Sequence, residues 1–247
     1  MTAAEDTILL TGGEGRLGSE LRSLLGGVIA PLEAEMDITR PEHISAKLAE
    51  HRPTVLVHAA AYTDVAKAEN DRSACWAVNV EGTANIVRAA IDGGIFLVHI
   101  STDYVFDGRT GNYKEDDPLG PVLNYYSLTK LVAETLVRMV DKHLVIRTSF
   151  RPRQWPYPTA FTDVHTSQDY VDVIAPDIAL AIRHCREIPY NSLHVATERK
   201  SIYELAKRRK ADVVPASKQK AKVQFPDDIS LDTSRWQQLK AQWSQQT

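Results

Sequence analysis

Tyr126 and Lys130 stand four residues apart in "YSLTK", so on a helix they share one face. A phenol ionises near a pH of about 10 and is a poor acid at neutrality, but a neighbouring ammonium stabilises the phenolate and lowers that value. Such a pair suits proton donation to a carbonyl oxygen while hydride arrives at its carbon. Ser101, Thr102 and Asp103 follow directly on the apolar run "IFLVHIS" (95–101). That places them at the carboxyl end of a strand, where ligand chemistry gathers in a parallel sheet. A hydroxyl at Thr102 can hydrogen-bond both a substrate carbonyl and the tyrosine; the plainer role for it is to cap the turn after the strand.

The second feature able to do chemistry is "TGGEGRLG" (11–18), set between the strand-like "TILL" (7–10) and the helical "LGSELRSLL" (17–25). Gly12, Gly15 and Gly18 allow a sharp turn whose bare backbone can lie against a pyrophosphate, with helix N-terminal amides facing the negative charge. A glycine triplet alone is weak, but placed between a strand and a helix it points to a dinucleotide. No carboxylate sits at the tip of the next apolar run, "GVIA" (27–30), where it would grip an adenosine ribose. Glu33, Glu35 and Asp37 come later, and Arg16 lies within the glycine turn, where it can meet a 2′-phosphate. The cofactor is therefore read as NADP(H) or NAD(H), with NADP(H) favoured.

These groups need a scaffold, and the rest of the chain describes one. Strand-like runs at 7–10, 27–30, 54–61, 95–101 and 143–149 alternate with helical patterns at 17–25, 41–51, 73–94 and 126–141. Pro41 marks the first turn of the second helix, with Thr39 as its cap. Such alternation predicts a Rossmann-type, doubly wound parallel α/β sheet. After residue 150 the pattern weakens: 150–170 reads as a Pro- and aromatic-rich loop, with helices at 175–185, 201–209 and 233–243. We therefore expect a nucleotide-binding core over 1–150 and a small substrate-binding lobe over 151–247, interleaved with the core. At 247 residues the chain is long enough for this and no more.

A net charge of −3 argues against a nucleic-acid partner, and the basic run Lys207–Lys210 reads as the solvated end of a helix. Cys75 and Cys185 are far apart and in no metal-ligand spacing, which suits free thiols in a reducing compartment. His165, Asp163 and Asp169 also lack a known ligand spacing and read as polar loop residues, so no metal is expected. With no run of signal-peptide type and no apolar stretch of membrane length, the expectation is a cytoplasmic protein without a membrane partner.

With these residues in view, the chain resembles the extended short-chain dehydrogenase/reductase superfamily, and within it the dTDP-4-dehydrorhamnose reductases and their sugar-nucleotide relatives. The matching stretches are "TGGEGRLG", "MDIT" (36–39), "HAAAYTDVAKAE" (58–69), "VNVEGT" (78–83), "HISTDYVFDG" (99–108), "YSLTK", "IRTS" (146–149) and "LDTSRW" (231–236). The resemblance implies that Gly12, Gly15, Arg16, Leu17 and Gly18 hold the pyrophosphate, and that Asp37 and Ile38 flank the adenine. It implies that Ala59, Ala60, Ala61 and Tyr62 line the cofactor, with Asn79 backing the site. Tyr126 would donate the proton and Lys130 would bind the nicotinamide ribose. Thr102 and Asp103 would face the substrate, with Thr102 tuning the tyrosine. The implied activity is NAD(P)H-dependent reduction of a 4-keto-6-deoxy sugar nucleotide, by an enzyme that forms a homodimer through helices.

Two departures bear on the substrate. Ala66 stands where the family usually has an aspartate, with Asp64 earlier; and Phe150 replaces a tryptophan that touches substrate. The stretch after Phe150 is shortened and altered. An epimerase or dehydratase that cycles hydride internally is an alternative, though no Glu follows Asp103 directly. So is a regulatory nucleotide-binding subunit, a role known for a relative, the β subunit of methionine adenosyltransferase.

Overall fold

The computed structural model describes residues 6–220 and 225–244; the outermost residues of the two expected units, 1–5 and 245–247, lie outside them. In chain order the first half runs β1 (Ile8–Thr11), α1 (Arg16–Leu25), α2 (Pro41–His51), β2 (Val55–His58), α3 (Val65–Asn70), α4 (Arg72–Trp76), a π-helical turn (Ala77–Gly82), α5 (Thr83–Gly93), β3 (Phe96–Thr102), α6 (Tyr125–Val137) and β4 (His143–Thr148). Then come β5 (Phe150–Arg151), β6 (Thr159–Phe161), β7 (His165–Thr166), β8 (Asp169–Tyr170), α7 (Val171–Arg183), β9 (Ser192–His194), β10 (Lys200–Ser201), α8 (Ile202–Lys207), β11 (Val214–Ala216) and α9 (Ser234–Ser244).

The apolar runs become a five-stranded sheet in the order β1-β2-β3-β4-β9, parallel throughout. Both faces are covered, which is why the runs are apolar at every position rather than at alternate ones. Leu10, Val57, Val98 and Leu144 pack with Leu17 and Leu21 of α1, Ile174 and Ile178 of α7 and Trp236 of α9. Their alternates Leu9, Leu56, Leu97 and Val145 pack with Ile44 of α2, Ile86 and Ala90 of α5 and Val137 of α6. This is the doubly wound arrangement expected from the sequence.

Several elements differ from their sequence patterns for local reasons. The run 27–30 pairs only at Ile29, which bridges Leu9 and exchanges hydrogen bonds of 2.8 and 2.9 Å with Leu10 and Ile8. Gly26 and Gly27 at positive φ on one side, and Pro31 on the other, prevent a longer strand. The cap of α2 is Arg40 rather than Thr39, whose side chain instead bonds Asp37. The helix expected over 73–94 is interrupted by the π turn and ends at Gly94 in the left-handed region. The segment 150–170 is not a plain loop, because its short strands pair with β8, β10 and β11 in two-stranded sheets. With α8 they enclose a separate small core around Trp155, Tyr170 and Leu205. The basic run closes α8 on an exposed face, as expected, and its two arginines also make ion pairs there. Arg208 bonds Asp169 at 2.7 Å, and Arg209 bonds Asp172 at 2.8 Å and lies over the Tyr170 ring.

Candidate active site

The carboxyl ends of β1, β2, β3 and β4 point the same way, and the groups read as chemically competent gather there. At the β1 end, Gly12 has φ +71°, and a Cβ on it would stand 2.6 Å from the backbone nitrogen of Ala60. A Cβ on Gly18 would collide with the carbonyl of Gly12. The turn thus needs hydrogen at both positions so that α1 can start directly against it. Arg16 is the first residue of α1, its side chain exposed, and Leu17 is buried beneath.

Beneath the turn, Ala60 donates its N–H to Thr11 Oγ1 at 3.2 Å, and Thr11 bonds His58 Nδ1 at 2.9 Å. His58 Nε2 reaches Thr83 Oγ1 at 3.0 Å, and Thr83 donates to the Asn79 carbonyl. With the Thr83 hydrogen engaged, His58 carries its proton on Nε2 and accepts at Nδ1. This chain fixes Ala59 and Ala60 against Gly12. Asn79 is 2 % exposed and clamps the Tyr62 peptide from both sides, accepting from its N–H at 2.7 Å and donating to its carbonyl at 3.1 Å. Its amide also bonds Thr129 of α6 at 2.9 Å, so it ties the segment containing Ala61 and Tyr62 to the helix that carries Tyr126. Asp37 accepts from the Thr39 amide and hydroxyl, which hold its carboxyl below the usual range. Ile38 is buried against Gly82, with its carbonyl held by Asn85. Asp64, earlier than the family's aspartate, caps α3.

Asn124 caps α6, and the helix presents Tyr126, Lys130 and Glu134 to the sheet, one turn apart. Lys130 is 3 % exposed; its ammonium donates to the Ile100 carbonyl at 2.8 Å and approaches His99 Nε2 at 3.4 Å. Burial lowers its pKa to about 8, with the Glu134 carboxylate opposing. Tyr126 is 9 % exposed, and here the expectation of an acidified phenol fails. Burial, and next the Asp103 charge, push its pKa up, while a hydrogen bond with Thr102 opposes. The ammonium of Lys130 is directed into the sheet, so desolvation dominates at the phenol.

Thr102 ends β3 and is 6 % exposed. Its hydroxyl donates to Asp103 Oδ1 at 3.0 Å and accepts from the Tyr104 N–H at 3.2 Å. Asp103 is 1 % exposed, and burial pushes its pKa up to about 7 against hydrogen bonds from Thr102 and Ser149 and the charge of Arg151. Thr102, Asp103 and Tyr126 are thus brought together. Phe150 instead packs against the sheet core on the α1 and α7 side. Alternation along β5 gives the next residue, Arg151, the opposite face. It donates to Gln168 Oε1 at 2.6 Å, and its charge reaches Asp103 and Tyr104. Arg151 and Gln168 were not singled out in the sequence; the only signal was a cation next to the altered Phe150 position.

A dinucleotide fits these residues. The glycine turn leaves its backbone bare at the N-terminus of α1, and at the β4 end Thr148 Oγ1 is buried with no hydrogen-bond partner. Asp163 bonds Ser217 and Lys218, Asp169 bonds Arg208, and His165 lies in β7. Among the described residues no three His, Cys, Asp or Glu side chains form a metal-holding group, and no helix is long and apolar enough to cross a membrane.

Comparison with known proteins agrees with this geometry. Residues 6–177 match the family model described as the RmlD substrate binding domain. A dTDP-4-dehydrorhamnose reductase of Aggregatibacter actinomycetemcomitans is 36% identical over 149 residues, 58% of this chain and 51% of the relative. The chain spans about half the length of the curated relatives it matches. Among solved structures, the dTDP-4-dehydrorhamnose reductase of Bacillus anthracis in complex with NADP superposes with a TM-score of 0.84 at 26% identity, covering 97% of this chain and 93% of that one. A hypothetical dTDP-4-dehydrorhamnose reductase of Sulfolobus tokodaii gives 0.81 at 35% identity, covering 94% of each. On the match over residues 6–177 and the shared fold, this chain belongs to the RmlD substrate-binding family, the dTDP-4-dehydrorhamnose reductase-like group of the extended short-chain dehydrogenases/reductases.

Proposed function

We propose that this chain is an NAD(P)H-dependent reductase of a 4-keto-6-deoxy sugar nucleotide of the dTDP-4-dehydrorhamnose type. The observation that carries the reading is the placement of the buried Tyr126 and Lys130 one turn apart on the face of α6 that packs against β3, the strand that ends in the buried Thr102. The resemblance to reductases of that name, one of them solved with NADP, supports the same chemistry. A bound reduced nicotinamide supplies hydride. Gly12, Gly15, Arg16, Leu17 and Gly18 would hold the pyrophosphate, with Asp37 and Ile38 at the adenine end. Ala59, Ala60, Ala61 and Tyr62 would line the cofactor, braced by Asn79, and Lys130 would bind the ribose. The exposed Arg16 and the lack of a carboxylate at the Ile29 bridge favour NADP(H) over NAD(H).

Tyr126 keeps its proton at neutral pH because burial disfavours the phenolate, so it is in the state from which a carbonyl oxygen can be protonated. Thr102 orients the phenol and offers the carbonyl a second hydrogen-bonding group. Residues 1–150 would bind the cofactor and 151–247 would shape the substrate site, with Thr102, Asp103 and Phe150 at the boundary. Two buried free thiols suit the cytoplasm, and the exposed Ile91, Leu128 and Met139 of α5 and α6 and the turn after them suit a homodimer through helices.

The test is a panel of dTDP-, UDP- and GDP-linked 4-keto sugars with NADPH and NADH. Stoichiometric NADPH consumption with the dTDP sugar is expected; turnover without net consumption would mean epimerase chemistry instead. Tyr126→Phe should lower kcat by about 10²–10⁴-fold, the usual contribution of a positioned acid, while cofactor affinity stays near that of the parent protein. Parent-level activity in this variant would remove Tyr126 from the role.

A further inference from the structure

Taking a guanidinium out of water costs free energy unless an acid or a bound anion meets it. Among the described residues, the arginines that are not exposed are Arg147, Arg151 and Arg235. Arg147 pairs with Glu134, and Arg235 with Glu115 and Asp116. Arg151 has no carboxylate at salt-bridge distance among the described residues. Its Nε donates to the neutral Gln168 Oε1 at 2.6 Å, its guanidinium carbon lies 5.6 Å from the centre of the Trp155 ring, and its two terminal nitrogens bond no described residue. The acids placed to neutralise it are engaged elsewhere. Asp169, opposite Phe150 in the β5–β8 register, bonds Arg208 at 2.7 Å and Thr197 at 3.3 Å, and Asp103 accepts from the Thr102 hydroxyl.

We propose that Arg151, oriented by Gln168, determines substrate specificity by taking the sugar-side phosphoryl group of a sugar nucleoside diphosphate. This rests on the reductase reading, which puts the C4 carbonyl at Thr102 and Tyr126. The phosphoryl group on C1 then lies one pyranose ring from the reacting carbon. The planar guanidinium fork presents two parallel N–H groups to two phosphoryl oxygens, the geometry in which arginine holds phosphate most firmly.

Position and support both suit that ligand. Arg151 follows Thr148 by three residues, a reach of at most about 10 Å. Thr148 stands opposite Thr102 in the β3–β4 register, and its buried hydroxyl has no partner, so this end of the crevice is also short of a polar contact. Phe150 turns toward α1 and α7, which leaves Arg151 on the other face of β5. Gln168 is buried and held at three points. Its backbone N–H and its side-chain amide donate to Thr166 Oγ1 at 3.0 and 3.2 Å, and its carbonyl accepts from Lys200 at 3.0 Å. The side chain that orients Arg151 is thus fixed and neutral. The guanidinium keeps its charge for an anion and has little to reorganise when one binds. A charge at position 151 takes over the anchoring that a tryptophan at position 150 usually gives in the family.

The experiment is equilibrium binding by calorimetry in the presence of NADPH. The probes are dTDP and dTMP, with the UDP–UMP and GDP–GMP pairs beside them, because each pair differs only in the phosphoryl group that would carry the sugar. The parent protein should bind one diphosphate about ten- to a hundredfold more tightly than its monophosphate, the effect expected of hydrogen bonds between charged groups. Arg151→Gln should abolish that preference while monophosphate and NADPH affinity stay at parent values. Gln168→Glu, which supplies the missing carboxylate, should abolish it too, and Arg151→Lys should keep part of it. A preference that survives Arg151→Gln, or a parent protein that prefers no diphosphate, overturns the proposal. Turnover is read separately: with the keto sugar nucleotide that is reduced, Arg151→Gln should raise KM by a similar factor and change kcat less. If the parent protein reduces none of them, the reductase reading fails, whereas the diphosphate preference and its loss still decide the role of Arg151.

Discussion

Lys130 enters the sheet side of α6 with its ammonium on the Ile100 carbonyl, so after burial the residue that most affects the phenol is not the one four positions away but Asp103. The i, i+4 spacing was legible because helical periodicity is a local property. The direction of the lysine head was not, because it depends on a carbonyl thirty residues earlier in the chain. Gly12 is the opposite case, where the sequence sufficed: its place between strand and helix already required an open backbone. Gly12→Ala would add a Cβ in the left-handed region and 2.6 Å from Ala60. The conformation alone costs about 1–2 kcal/mol. Urea unfolding should show at least that loss, together with dinucleotide affinity reduced beyond the titratable range. Unimpaired binding would show that the turn is not the phosphate cradle.

At the scale of elements, α6 is held to the sheet by a buried ion pair. Glu134 and Arg147 are both without exposed side-chain surface; Arg147 bonds the carboxylate through Nε at 3.1 Å and Nη2 at 2.6 Å, and Ser101 adds a third contact at 3.0 Å. Arg147 further holds the Glu115 carbonyl and His194, joining β4, α6, β9 and the segment after β3. α6, β3 and β4 were legible as apolar patterns, but their charged members were not paired in advance, since register sets which side chains meet. Short elements escaped for a related reason. The β9 run has three residues, too few for a period to show. Arg147→Met should destabilise the protein by about 3–5 kcal/mol, because it leaves the buried Glu134 charge with only the half-exposed Arg138 and the Ser101 hydroxyl against it. Glu134→Gln with Arg147→Met should recover a large part of that loss in the same unfolding measurement. Equal losses in the single and double variants would show that the pair is not coupled.

The whole molecule carries three buried histidines near the sheet edge that chemistry occupies, and together they set its response to acid. His58 and His194 are held down to about 3, and His99 well below its ordinary value, in each case mainly by burial. Each has a ring nitrogen facing a donor, from Thr11, Arg147 and Lys130 respectively, so a second proton would remove a bond and add charge beside one. The unfolded chain takes up these protons below about 6.5 while the folded protein refuses them, so stability is fully present above that pH and falls as pH drops toward the folded values. Asp103 works the other way, since the folded protein keeps its proton up to about 7 and an unfolded aspartate releases it near 3.8. Three protons against one leave a net two, worth about 3 kcal/mol per pH unit between pH values of about 6 and 4.5. Urea unfolding across that range should show this slope and a plateau above it. Asp103→Asn removes the opposing proton and should steepen the slope by about half, whereas replacing His194 by Gln should make it shallower. A stability that is level from neutrality down to a pH of about 5 would mean that the three imidazoles do take up protons in place, and that the network beneath the glycine turn is looser than its hydrogen bonds imply.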